Sequence, residues 1–124
     1  MHRVEVDRAN TVLYCDEWVA TVAFYRDVLG FEVEHETDWF VEFRVTGDAY
    51  LSIADARRAT IDAVAGKGIT LTLHTSALAE TRAYLEGDGV PATPITRRWG
   101  AEVFYCHDPE GHRIEFWSEE STDE

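Results

Sequence analysis

The feature that most limits what this chain can fold into is a repeat of patterning: an alternating strand, a helix and three further strands occur twice in 124 residues. Thr11-Val-Leu-Tyr-Cys15 alternates as a strand does, and Ile69-Thr-Leu-Thr-Leu73 does so more cleanly. Each is followed by a helical stretch. In the first, Trp18, Val22, Tyr25 and Leu29 fall on one apolar stripe, with Asp16 as the expected N-cap and Gly30 as the stop. In the second, Leu78, Ala79, Arg82 and Leu85 form a weaker stripe, capped by Ser76 and closed at Gly87-Asp-Gly89. Strands are predicted over 31–36, 39–45 and 49–54 after the first helix, and over 92–97, 102–107 and 112–117 after the second. Thr46-Gly47-Asp48 reads as a hairpin turn. Asp108-Pro109-Glu110-Gly111 suits a type I turn, with proline second and glycine fourth. Residues 57–64 look like a short helix, and 65–68 like a linker.

The predicted class is therefore α+β: two βαβββ modules, at about 9–55 and 67–118, within a single domain over 1–118. The modules should form a curled mixed sheet with a ligand cleft and with helices on its outer face. Residues 119–124 read as an acidic, disordered tail. Alternation sorts the side chains. Leu13, Cys15, Leu71, Leu73, Ile114 and Phe116 should face the helices. Asn10, Val12, Tyr14, Thr70, Thr72, His74, Arg113, Glu115 and Trp117 should line the cleft, a mixed polar and aromatic set of the kind ligand sites use. The competing reading is a cleft filled by its own side chains or by a second subunit.

Charge narrows the partners. Twenty-four acids against 11 bases give a net charge of −13, which argues against nucleic acid and against anionic membranes. The acidity has two readings: a field that draws in a cationic ligand, or a solvated, salt-tolerant surface, the plainer of the two. Nothing at the N-terminus resembles a signal peptide, and no run of ~20 apolar residues exists to span a bilayer. A cytoplasmic location is expected, with Cys15 and Cys106 as structural thiols.

Phe24-Tyr-Arg-Asp-Val-Leu-Gly-Phe31 resembles the helix-to-strand signature of the vicinal-oxygen-chelate superfamily, the glyoxalase, bleomycin-resistance and dioxygenase group. Asp108-Pro-Glu-Gly-His-Arg-Ile-Glu-Phe-Trp117 resembles its closing hairpin. The resemblance covers roughly residues 9 to 118 and speaks to fold more than to chemistry, since the superfamily spans isomerases, epimerases, dioxygenases, thiol transferases and drug-sequestering proteins. It places metal-ligand positions at Asn10, Ser52, Gly68 and Glu115, of which only Glu115 keeps a strong donor. Glycine offers no side chain and serine is a poor ligand, whereas a catalytic metal ordinarily takes about three protein ligands. No cofactor is therefore expected. A divalent metal is the disfavoured alternative, held by Glu115 with His74 or His107.

Glu115 is the candidate catalytic residue. As a general base in a partly apolar cleft it could serve a metal-free lyase, isomerase or epimerase, with Arg113 or Arg44 steadying an anion. The plainer alternative is that it pairs with one of those arginines. Candidate ligand-binding residues are Asn10, Tyr14, Trp39, Arg44, Ser52, Thr70, Thr72, His74, Trp99, Tyr105, Arg113 and Trp117. Tyr14, Trp39, Phe40, Tyr50, Trp99, Tyr105 and Trp117 supply many rings, and Trp99-Gly100 sits where antibiotic-sequestering relatives also carry Trp-Gly. An aromatic cleft beneath an acidic surface resembles the bleomycin-resistance branch. The expectation is a homodimer that binds a small molecule, cationic or aromatic, without turnover.

Overall fold

The computed structural model describes residues 3–120 and divides the chain into two compact units, with the boundary between Ala65 and Gly66. Each unit is a βαβββ module built on a four-stranded mixed sheet, so the class is α+β.

In the first unit, β1 (Ala9–Cys15) leads to α1 (Trp18–Ala23), then β2 (Glu32–Glu36), β3 (Phe40–Thr46) and β4 (Ala49–Asp55). The sheet order is β1-β4-β3-β2, with β1 parallel to β4 and the other pairs antiparallel. Leu13 and Cys15 of β1, Val41 and Phe43 of β3, and Leu51 and Ile53 of β4 share one face of the sheet and are buried with Val22, Phe24 and Tyr25. The Trp18 indole N–H donates to the Ile53 carbonyl at 2.9 Å, tying helix to sheet. After Ala23 the helix widens into a π turn over Phe24–Val28. The wider turn lets two adjacent rings, Phe24 and Tyr25, both face inward, packed edge to face at 5.3 Å. Gly30, at φ +72°, takes the left-handed conformation that ends the helix.

The second unit repeats the plan with β5 (Thr70–His74), α2 (Leu78–Gly87), β6 (Thr96–Arg98), β7 (Ala101–His107) and β8 (Arg113–Glu119), in the order β5-β8-β7-β6. Phe104, Cys106, Ile114 and Phe116 are buried on one face along with Leu78 and Leu85, and the Phe104 and Phe116 rings stack at 5.2 Å. A local detail repeats as well. Thr21 and Thr81 each donate a hydroxyl proton to the carbonyl four residues back, Glu17 at 2.6 Å and Ala77 at 2.7 Å.

Several expectations need correction. Asp16 and Ser76 are not the caps: the helices start after Glu17 and Ala77, neither with a side-chain cap, and the Thr75 hydroxyl accepts the Ala77 N–H at 3.1 Å. The predicted helix over 57–64 reduces to a 3₁₀ turn, Ala56–Arg58: the Asp55 carboxylate caps its start, taking the Arg57 N–H and guanidinium at 3.0–3.1 Å, and the backbone turns extended at Ala59 (φ −111°, ψ 175°). β6 is three residues long rather than six. Pro94, inside the predicted strand, has no N–H to give a ladder, and the Arg82 guanidinium takes the Ala92 and Thr93 carbonyls just before it at 3.1 and 2.7 Å. Glu119 and Glu120, expected in a disordered tail, are ordered: Glu119 ends β8, and the Glu120 N–H donates to the Gly100 carbonyl at 2.9 Å. The remainder of that predicted tail, 121–124, lies outside the described residues.

Candidate functional site

In each unit the strand register fixes which side chains share the face away from the helix. In the first, Asn10, Val12 and Tyr14 of β1 align with Tyr50, Ser52 and Ala54 of β4, and these with Arg44, Glu42 and Phe40 of β3. In the second, Thr70, Thr72 and His74 align with Arg113, Glu115 and Trp117, and these with His107, Tyr105 and Val103.

The first face carries a polar chain. The Ser52 hydroxyl donates to Asn10 Oδ1 at 2.9 Å, and the Asn10 amide donates to Glu42 Oε2 at 3.2 Å. The Arg8 guanidinium, arriving just before β1, reaches the same Glu42 oxygen at 3.2 Å and lies over the Tyr50 ring, 4.2 Å from its centroid. Glu42, Tyr50 and Ser52 are buried, while Arg8 is half exposed. Arg44 is spent elsewhere: it pairs with Glu34 at 2.7 Å, and its Cζ lies 5.7 Å from the Tyr50 centroid. At the other end of β1, Tyr14, Trp39, Phe40, Ala54 and Arg58 line a pocket of about 220 Å³, large enough for a ring-sized group. The Arg58 guanidinium is tied to Asp38 at 3.2 Å.

On the second face Glu115 is half-buried, and its carboxylate has no hydrogen-bond or ion-pair partner among the described residues. The arginine expected to pair with it points elsewhere: Arg113 donates to the Thr70 hydroxyl at 3.0 Å and stacks over Tyr105 at 4.6 Å. His74 bonds Glu119 at 2.7 Å and packs edge-on against Trp117 at 4.6 Å. Trp99 stands apart. It forms, with Gly100, the two-residue turn between β6 and β7, with both residues at positive φ (+48° and +78°), and is 98% exposed. A larger hollow, about 580 Å³, lies at the start of α2 beside the ends of β7 and β8, and Glu80, Glu102 and Glu119 are among its lining residues.

The donor set fits a metal poorly within either unit. Gly68, at φ +81°, contributes no side chain, and Asn10 and Ser52 are bonded to each other. Among the described residues no three of His, Cys, Asp and Glu converge as an ion would require. Sequence reasoning missed Arg8 and Glu42. The signal for Glu42 was present, since Phe40, Glu42 and Arg44 alternate onto the face that carries Asn10. Arg8 precedes the strand, where periodicity says nothing.

Residues 8–116 match the family model of the Glyoxalase/Bleomycin resistance protein/Dioxygenase superfamily. Among solved structures, the chain is similar to a lactoylglutathione lyase from Agrobacterium tumefaciens (22% identity, TM-score 0.76, covering 94% of this chain and 96% of that one). It is also similar to a glyoxalase/bleomycin resistance protein/dioxygenase from Nocardioides (20%, TM-score 0.79, 99% and 89%). An antibiotic binding protein from a Streptomyces species aligns at 17% identity with TM-score 0.79, covering 95% of this chain and 99% of that one. Comparison with curated proteins finds no match.

Proposed function

Because the chain belongs to the Glyoxalase/Bleomycin resistance protein/Dioxygenase superfamily, we propose that it is a small-molecule-binding member, holding its ligand on the helix-free sheet faces without metal and without turnover. One observation carries this reading. Asn10 and Ser52, positions that the resemblance assigns to metal ligands, spend their side chains on each other and on Glu42, whose charge Arg8 already answers. What remains on these faces suits binding: the Tyr14–Trp39–Phe40 pocket, and the Trp117 and Tyr105 rings beside Glu115. The antibiotic binding protein of similar fold makes sequestration of a drug or toxic metabolite the natural version of this role. We place the protein in the cytoplasm as a homodimer. Two buried cysteines outside any disulfide suit a reducing compartment, and two small open sheets suit a partner copy. No helix among the described residues is long and apolar enough to cross a membrane.

A thermal-shift screen over cationic and aromatic metabolites, with and without divalent metals, tests the reading. A ligand at 100 times its Kd should add ~2.7 kcal/mol of stability, be recovered unchanged and be indifferent to a chelator. A stoichiometric divalent ion whose removal abolishes binding would defeat it. Sedimentation of the purified protein tests the dimer.

The unpaired Glu115 carboxylate favours a second reading, a metal-free lyase, isomerase or epimerase with Glu115 as acid and base. Glu115→Gln separates the two. Under sequestration the ligand still binds and no product ever forms. Under catalysis the wild type makes product, and the variant binds without making it.

A further inference from the structure

We infer that Glu42 and Tyr50 form a receptor for a planar cation, an amidinium or guanidinium group on the ligand, and that Arg8 occupies it as an internal stand-in. The inference deepens the ligand-binding reading by naming a chemical class and a regulatory contact.

The chain itself displays what the site accepts. A carboxylate beside an aromatic face is the pairing that recognises a delocalised cation, through a charge-assisted hydrogen bond on one side and the ring's negative face on the other. Here Glu42 and Tyr50 are both buried, and the guanidinium between them bonds Glu42 at 3.2 Å and lies 4.2 Å from the Tyr50 centroid. The carboxylate is held ready by its own support, since Asn10 donates to it and is in turn fixed by Ser52. Arg44, the other guanidinium near this ring, is engaged by Glu34 and does not fill the place.

The occupant is built to leave. Arg8 belongs to residues 3–8, which precede β1 and have no regular secondary structure. Its side chain is half exposed, so its place is reached from solvent. Withdrawing it breaks one half-buried ion pair and a ring contact and leaves the sheet's ladder intact. If nothing replaced it, Glu42 would keep a buried charge with only Asn10 to answer it, so an incoming cation has a reason to bind. A net charge of −13 brings such cations to the surface faster than neutral molecules.

Benzamidinium is a suitable probe, with neutral benzamide as its isostere. By calorimetry or by chemical-shift titration, Arg8→Ala should bind benzamidinium about tenfold more tightly than the wild type, the removal of a competitor worth ~1.4 kcal/mol. Benzamide should gain nothing. Adding Glu42→Gln to Arg8→Ala should erase the gain, since glutamine keeps the shape and the Asn10 bond but not the charge. No gain in Arg8→Ala, an equal gain for benzamide, or a gain that survives Glu42→Gln would each overturn the inference. The titration needs no natural ligand. A metabolite screen that fails would end the reading of the preceding subsection without deciding this one.

Discussion

Cys106 sits on β7 with its thiol buried, and desolvation, followed by the nearby Asp108 charge, pushes its pKa up to about 11. Two outcomes follow. First, neither Cys106 nor the buried Cys15 should react with a maleimide at neutral pH in the native protein, while both should react in urea; labelling of the folded protein would contradict the packing. Second, the raised value makes stability depend on pH in the alkaline range. The unfolded thiol ionises near its ordinary value of 9.0, before the folded one does, so the contribution is whole below that pH and is lost by about 11. Replacing Cys106 by Ala should remove that part of the alkaline slope, read from urea melts between pH 8 and 11. The same scale shows what single residues disclosed in advance. Alternation assigned Asn10, Tyr14, Glu115 and Trp117 to the helix-free faces, because side-chain direction in a strand is a local property. Glu42 obeyed that rule unread. Arg8 obeyed no local rule, since its position comes from a carboxylate thirty-four residues away.

Among the elements, the β7–β8 hairpin is the most tightly determined. One carboxylate oxygen of Asp108 accepts the N–H groups of Glu110, Gly111 and His112 at 2.9–3.0 Å, and the other meets His112 Nδ1 at 2.8 Å. Asp108, Glu110 and His112 are buried while Pro109 and Gly111 face solvent, so the turn is anchored from within. Asp108→Ala should cost roughly 2–4 kcal/mol by denaturant unfolding, since it strands several buried donors at once. A loss under 0.5 kcal/mol would mean that water replaces the carboxylate. Gly66, at φ +75°, lies against this hairpin so closely that an added Cβ would sit 2.3 Å from the Gly111 and His112 backbone, which explains why the linker needs glycine there. The turn's residue types were legible, as were eight strands in the right order. The π turn was not: its stripe reads as an ordinary helix until two neighbouring aromatics are seen to share one side. The shortness of β6 had a signal that strand patterning passed over: Pro94, which cannot donate to a ladder.

At the scale of the whole chain, 24 acids against 11 bases must repel one another in the folded state more than in an expanded one. Raising KCl from 0.05 to 1 M should therefore raise the melting temperature by several degrees, as screening shortens the reach of each charge from roughly 14 Å to about 3 Å. A flat or falling response would show that the acidic surface is already balanced by its pairs. Composition foretold this sign of charge and little else about function, since where the charge lies relative to a ligand depends on tertiary placement. The exposed Trp99 adds an optical consequence. Of the four indoles, Trp18, Trp39 and Trp117 are partly shielded, while Trp99 meets water over 98% of its surface. A collisional quencher such as acrylamide should extinguish Trp99 emission first, leaving a bluer residual dominated by the other three. Molecules that settle beside Trp39 or Trp117 would then announce themselves in that residual colour, with no dye attached.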